Sequence, residues 1–338
     1  MNAYPQSEYN RQLYYRLIAL WVICEAFAGG IMHAAKLPFA GLIVSSLAIT
    51  CIVLIAYYVP VRAAIIKATV IVAIFKLMLS PHSPPTAYLA VFFQGLMGQL
   101  LLSNKKYFTA ASITLAVLSL VESAIQRLLV LIIFSGTAFW KAMNQYIQKL
   151  TGEKELTDYS FRIAGIYVII HALIGILVGI YAARLAKIST TWKNRYPELM
   201  IAKEQKEAVI VPKKERRKRR IKRVMLLLLF GLIVLYVQSY MDPKHAIIPN
   251  GIIINVLLRS LLILMIWYTV LGPLLMMFIK RILHGRQQRY KSEMNEVMLL
   301  LPQTRNIFRQ SFKLSEDRRG IQRVRLFLKI LLVNILAD

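Results

Sequence analysis

The sequence predicts an all-α, polytopic membrane protein of about eight transmembrane helices, with amphipathic helices on its cytoplasmic side. Three observations carry that prediction. Of 338 residues, 57% are hydrophobic and 17% are charged, and the mean hydropathy is +0.54; a soluble chain of this size carries more charge to cover its surface. The apolar residues cluster in runs close to the ~20 residues that cross a bilayer as a helix. Lysine and arginine total 43 against 16 acids, a net charge of +27, and this excess lies between the apolar runs. Basic connections of that kind stay cytoplasmic. In a soluble protein the same charge would be a nucleic-acid footprint, but here no nucleic-acid partner is expected.

Six spans fill the first part, at roughly 13–35, 38–59, 61–79, 86–103, 107–135 and 160–187. Pro38, Pro60 and the PHSPP run at 81–85 divide what would otherwise be one apolar block, because proline ends or kinks helices. The start, MNAYPQSEYNRQLYYR, lacks a signal-peptide cleavage pattern and leads into an uncleaved first helix. Arg11 and Arg16, Arg62 and Lys67, and Lys105 and Lys106 mark alternate span ends, as does the basic stretch after Arg184. Both termini are therefore expected in the cytoplasm of a multi-pass cell-membrane protein. Residues 33–37, 80–86 and 136–159 form the outer connections.

Domain organisation follows from this layout. Residues 1–187 form a six-helix membrane domain, 188–223 a basic cytoplasmic linker, and 224–338 a further part with two spans and cytoplasmic helices. The linker ends in a block of like charge, read as a solvated topology anchor that also attracts membrane lipids. The two later spans lie at about 224–241 and 251–279. Arg259 leaves open whether the first turns of the second one cross or re-enter. From His284 the chain is basic but keeps apolar residues at helical spacing: Met294, Val297, Met298, Leu301, Ile307 and Phe308. Pro302 is expected to kink or restart that helix, and Gly320 to stop it before a new helix near Ile321. The ending, RLFLKILLVNILAD, has no cap, proline or polar tail, which reads as a chain continuing past Asp338.

Ionisable groups inside a membrane cost at least ~2.5 kcal/mol at its centre, so each is a candidate functional residue. Glu25, His33, Lys76, Glu122, Arg127, Arg162 and His171 form this set. Lys76, Arg162 and His33 fall near outer span ends, where snorkelling is an alternative. Glu25, Glu122, Arg127 and His171 lie deeper, with pairing to another buried group and ligand contact as equal alternatives. His82, with Ser80, Ser83 and Thr86 in the PHSPP turn, adds an outer candidate ahead of a helix amino terminus able to receive an anion; the plain reading is a proline-stiffened turn. Residues 137–150 place Phe139, Met143, Tyr146, Ile147 and Leu150 on one helical face, suited to the membrane surface or to a lid. Ala26, Gly30 and Ala34 repeat at the spacing that lets helices approach closely in lipid, which suits subunit docking or internal packing.

Cys24 and Cys51 are distant in sequence and read as packing residues. No metal-ligand spacing, P-loop or nucleophile elbow occurs in the chain. No cofactor, metal or catalytic residue is expected, and any ATP hydrolysis falls to partner subunits.

The layout resembles an energy-coupling-factor (ECF) vitamin transporter in which a substrate-binding S component is joined to part of a transmembrane T component. Residues 1–190 resemble an S component by their six spans, their cytoplasmic ends and the Ala26/Gly30/Ala34 face. The run MLLLPQTRNIFRQSFKLSEDRRGIQRVRLFLKILLVNILAD is similar to the T component's cytoplasmic coupling region. Arg319 and Gly320 match the Arg-Gly of its Ala-Arg-Gly-type motif, while Arg318 stands where alanine is usual. That resemblance implies that Arg319 reaches a groove on ABC ATPase subunits, a role suited to a guanidinium fork. It also implies a small-molecule substrate taken from outside and a further T-component chain as partner. A second such motif and further T-component spans are missing, so either the chain continues or its T-like half is incomplete. Two other classes compete: a membrane scaffold recruiting a cytoplasmic partner, and a membrane enzyme acting on lipid or isoprenoid through buried Glu and His residues.

Overall fold

The computed structural model describes residues 4–25, 40–80, 83–151, 159–201, 229–231, 233 and 252–336. Among these residues the regular structure is entirely helical. Among the described residues four helices are long and apolar enough to cross a membrane, at Gly41–Tyr58, Phe108–Ile133, Tyr159–Ser189 and Arg259–Arg289. Of these, only Gly41–Tyr58 is half buried, at 50% of its apolar stretch, against 22%, 17% and 17% for the other three. The exposed Leu129, Ile169, Leu177 and Phe278 belong on surfaces whose solvent is lipid.

Helix α1 (Tyr4–Ile23) runs on through a wider turn at Cys24 and Glu25. From Leu13 to Glu25 every residue except Arg16 is buried, and Leu17, Ile18 and Trp21 are 0% exposed. A helix apolar all round belongs in a core. Helix α2 (Ala40–Tyr58) satisfies its internal hydroxyls locally: Ser46 donates to Leu42 O at 2.7 Å and Thr50 to Ser46 O at 2.8 Å. It stops two residues before Pro60, the expected boundary.

Helix α3 (Ala64–Leu79) spans 16 residues and α4 (Pro85–Leu101) spans 17. Pro85 opens α4 at the position where the missing N–H costs nothing. Helix α5 (Phe108–Thr151) covers 44 residues and is broken at Gly136, whose φ of 63° and ψ of −170° are non-helical. Helix α6 is Tyr159–Ser189 and α7 the short Trp192–Arg195. Helix α8 (Ile252–Ile266) passes through a π turn at Trp267–Leu271 into α9 (Gly272–Arg289). Helices α10 (Lys291–Leu314) and α11 (Gly320–Leu336) complete the chain.

Several expectations fall on residues outside this description: most of the span at 224–241, the linker from 202, and the second half of the span at 13–35. The expected helix over 137–150 is present as the part of α5 beyond Gly136. In the run at 251–279, the stretch able to cross begins at Arg259. Pro302, expected to kink or restart its helix, lies inside α10, so the helix does not restart there. Burial of Met294, Val297, Thr304 and Ser311 on both sides of the proline offsets the ~3 kcal/mol that an interior proline costs.

The chain divides into two compact units. The first comprises Met1–Ser123, His171–Pro212 and Ile282–Asp338; the second comprises Ala124–Ile170 and Lys213–Arg281. In the first, α1 is the centre: it packs against α2, α3, α10 and α11, while α4 covers α2 and α3. In the second, Asn144 beyond the Gly136 break accepts a hydrogen bond from the Ser160 amide at 2.8 Å, joining α5 to the start of α6.

Glycines set the closest helix approaches in the first unit. A Cβ at Gly179 of α6 would lie 2.4 Å from Ile113 Cα, and one at Gly175 would lie 2.7 Å from Val117 Cα. Both obstacles are backbone of α5, so neither helix could give way. This four-residue spacing lets two backbones touch in lipid. On α4, a Cβ at Gly95 would lie 1.9 Å from Thr69 Oγ1 and one at Gly98 2.6 Å from Ile52 Cγ2.

Replacing Gly179 by leucine is therefore expected to lower stability by about 1–3 kcal/mol, the usual cost of overpacking. Gly165→Ala, on the same helix but with nothing within 4 Å of its added Cβ, is expected to leave the unfolding temperature equal or slightly higher. Thermal unfolding of both purified variants compares them directly.

Candidate functional site

The end of α1 and the last turn of α3 hold the most confined charges in the structure. Lys76 Nζ lies 2.6 Å from Glu25 Oε2, and the two side chains are 7% and 3% exposed. The sequence places a lysine one turn from the carboxyl end of α3, where its charge opposes the partial negative charge of that terminus. Glu25 sits on the wide turn that follows α1, of a type that often marks functional sites. Lys76 Nζ also donates to Ala87 O at 3.4 Å and stands 5.9 Å from the centre of the Tyr88 ring. The first turn of α4 thus supplies the remaining wall.

A pair this deep contributes little net stability, because desolvation consumes most of the attraction, yet removing one partner strands the other. The surroundings hold spare hydrogen-bonding capacity. The Tyr88 hydroxyl and the Trp21 indole N–H are buried without a hydrogen-bond partner among the described residues. Gln94 Nε2 donates to Ser45 Oγ at 3.1 Å between α4 and α2, while Gln94 Oε1 is buried and unmatched. Such groups are uncommon in a finished core and suit a place where a ligand or water completes the bonding. Chemically, the arrangement offers an ammonium to an anionic group, a carboxylate to a cationic one, and a phenol as donor.

The other candidates are dispersed. His171 is buried on α6 and Glu122 half-buried on α5. The approaches of Gly175 to Val117 and Gly179 to Ile113 give an antiparallel register that, carried one turn further, sets His171 level with Val121, the neighbour of Glu122. Arg127 and Arg162 are exposed on α5 and α6. His33, His82, Ala26, Gly30 and Ala34 lie outside the described residues. Cys24 and Cys51, remote in sequence, are both buried.

The second notable region is the α10–α11 connection. Gly320 adopts a φ of 56°, the left-handed conformation a glycine takes readily, and Arg319 beside it is exposed. Phe327 packs edge-on against Phe308 with centroids 5.2 Å apart, and the Arg323 guanidinium stands 4.7 Å from the Phe312 ring. Asn334 fastens α11 to the segment after α7, donating to Leu199 O at 2.9 Å and accepting from the Ile201 amide at 2.8 Å. At its other end α10 is tied to α3 by Lys67 and Glu293, 2.6 Å apart.

Burial pushes the Glu293 carboxyl upward, but the hydrogen bond and charge of Lys67 outweigh it, and the net shift is below the usual carboxylate value. Lys67 reads in sequence only as an orientation marker. Gln94, Tyr88 and Asn334 give no signal, since a single amide or phenol in an apolar run has no spacing to detect.

No family model matches the chain, and no curated protein or solved structure does.

Lys76→Met is expected to cost about 3–5 kcal/mol by leaving Glu25 charged and buried, and the double change Glu25→Gln with Lys76→Met to restore most of it. Chemical unfolding of the wild type, Glu25→Gln, Lys76→Met and the double variant gives the coupling. The lowered Glu293 pKa means that its contribution is present at neutral pH, above the unfolded value, and is lost as pH falls through the folded one. Acidification below the ordinary carboxylate range should loosen α10, and Lys67→Met should remove that pH dependence in hydrogen exchange of residues 291–314.

Proposed function

We propose that this chain is a membrane subunit of an ATP-driven importer, binding a small organic micronutrient from outside and coupling to separate ABC ATPase subunits. The observation that supports this reading most is a mechanical one. Helix α1 carries Glu25 of the buried pair at one end and packs along α10, and α10 leads directly to the Arg319–Gly320 turn. The group suited to meet a ligand and the turn suited to meet an ATPase therefore lie on helices in direct contact.

In this reading the chain spans the membrane eight times, six in an S-component-like bundle and two in a T-component-like part, with both termini cytoplasmic. A ligand carboxylate would compete with Glu25 for Lys76, aided by the Tyr88 hydroxyl. Ligand pockets of this kind are mostly apolar with a few placed polar groups, and the fully buried Tyr88 and Trp21 suit such a lining. Releasing Glu25 from Lys76 would free the end of α1 to shift against α10. The exposed apolar side chains of α10 and α11, with Leu299 77% and Ile321 87% exposed, suit burial against a partner.

That same exposed surface also fits a scaffold that recruits a cytoplasmic partner without transporting anything. The two readings differ at Lys76. An importer's ligand should raise the unfolding temperature of the wild-type protein and not of the Glu25→Gln, Lys76→Met variant, whereas a scaffold has no such ligand.

Purified full-length protein is expected to retain a pair of ABC ATPase subunits, and Arg319→Ala to lower uptake by at least ~10-fold through loss of a bidentate charged contact. Failure to retain ATPases together with unchanged uptake in Arg319→Ala would overturn the proposal.

A further inference from the structure

A separate cavity of about 650 Å³ lies in the first unit, where α2, α5 and α6 all end. Ala56 and Tyr57 come from the last turn of α2, Lys106 and Tyr107 from the short 3₁₀ turn before α5, Thr109 from the first turn of α5, and Lys187 from the last turn of α6. Each of these three helices is long and apolar enough to cross a membrane. The place where all three stop is therefore the level of the lipid headgroups, whatever the depth of the rest of the chain.

The lining has the composition of a headgroup site. Lys187 Nζ donates to Thr109 Oγ1 at 3.0 Å, which sets that ammonium across the gap between α6 and α5. Lys106 Nζ stands 5.6 Å from the centre of the Tyr107 ring. No carboxylate among the described residues pairs with either lysine. The carboxyl ends of α2 and α6 bring roughly half a negative charge each and the amino end of α5 a similar positive one; two full ammonium charges exceed the remainder. Tyr57 stacks 5.4 Å from Phe108 and 5.3 Å from Tyr58, and aromatic side chains of this kind favour the interface. On the membrane side, Leu118, Leu177 and Tyr181 of α5 and α6 are exposed, leaving an apolar path beside the cavity for acyl chains.

We propose that this cavity holds the phosphate of an anionic phospholipid, with Lys106 and Lys187 as its cationic ligands and the acyl chains laid along α5 and α6. Basic pockets between neighbouring spans bind such headgroups. The site does not depend on the transport reading. It would act as a fixed lipid between α5 and α6, whose backbones meet at Gly175 and Gly179.

Native mass spectrometry of the full-length protein with added phosphatidylglycerol or phosphatidylcholine tests this. The wild type is expected to retain phosphatidylglycerol preferentially, Lys106→Gln with Lys187→Gln to weaken that retention on the order of 10-fold, and Lys313→Gln, a lysine elsewhere, to leave it unchanged. Lys106→Arg with Lys187→Arg should keep the lipid, which separates loss of charge from misfolding. Equal retention by the wild type and the double glutamine variant, or equal loss in Lys313→Gln, overturns the proposal. Displacement of the lipid by inorganic phosphate at equal concentration would overturn the lipid assignment in favour of a soluble phosphate.

Discussion

The burial of α1 is the constraint on which the first unit depends. A helix with almost no exposed surface from Leu13 to Glu25 must be enclosed by others, and α2, α3, α10 and α11 supply that enclosure. Helix α3 holds it in register through its two lysines: Lys76 grips Glu25 at the end of α1, and Lys67 grips Glu293 on α10. One short helix thereby fixes both the position of α1 and that of the element lying across it. The Tyr14 hydroxyl, donating to Ala64 O at 2.7 Å, adds a third link between α1 and the start of α3.

Hydrophobic burial alone does not select between helix arrangements in lipid, because a leucine gains little by leaving acyl chains for another leucine. Selection comes instead from close backbone contact and from polar groups with one satisfactory partner. Gly175 and Gly179 against α5 provide the first, while Gly95 and Gly98 admit the Thr69 and Ile52 side chains of α3 and α2. Glu25 with Lys76, Gln94 with Ser45 and Asn334 with the 197–201 segment provide the second. The unmatched Tyr88 hydroxyl and Gln94 oxygen lie within these polar layers, so the features that specify the fold and those suited to binding occupy the same helices.

The helical class and the apolar spans at 38–59, 107–135 and 160–187 were legible in the sequence, because length and hydropathy are local properties that the bilayer makes nearly decisive. Glu25 and Lys76 were each legible as costly buried charges, but their pairing was not: it joins residues 51 apart in sequence, and no periodicity encodes a partner on another helix. A new helix near Ile321 was legible, but Gly320, with its φ of 56°, opens α11 and does not stop α10, which already ends at Leu314. Of the two outcomes open at Pro302, a kink or a restart, the restart does not occur, and the buried stripe on both sides of the proline is a tertiary effect that local propensity does not carry. The docking of α10 on α1, between opposite ends of the chain, had no local signature at all.

The central claim is that α1 and α10 form one cooperative element. Hydrogen–deuterium exchange of the full-length protein in lipid nanodiscs, with and without Val297→Asp, tests it most directly, because Val297 is fully buried on α10. Slow exchange over residues 13–25 and 291–314 in the wild type, rising together in the variant, is the expected result. Faster exchange confined to 291–314, with 13–25 unchanged, would contradict the account.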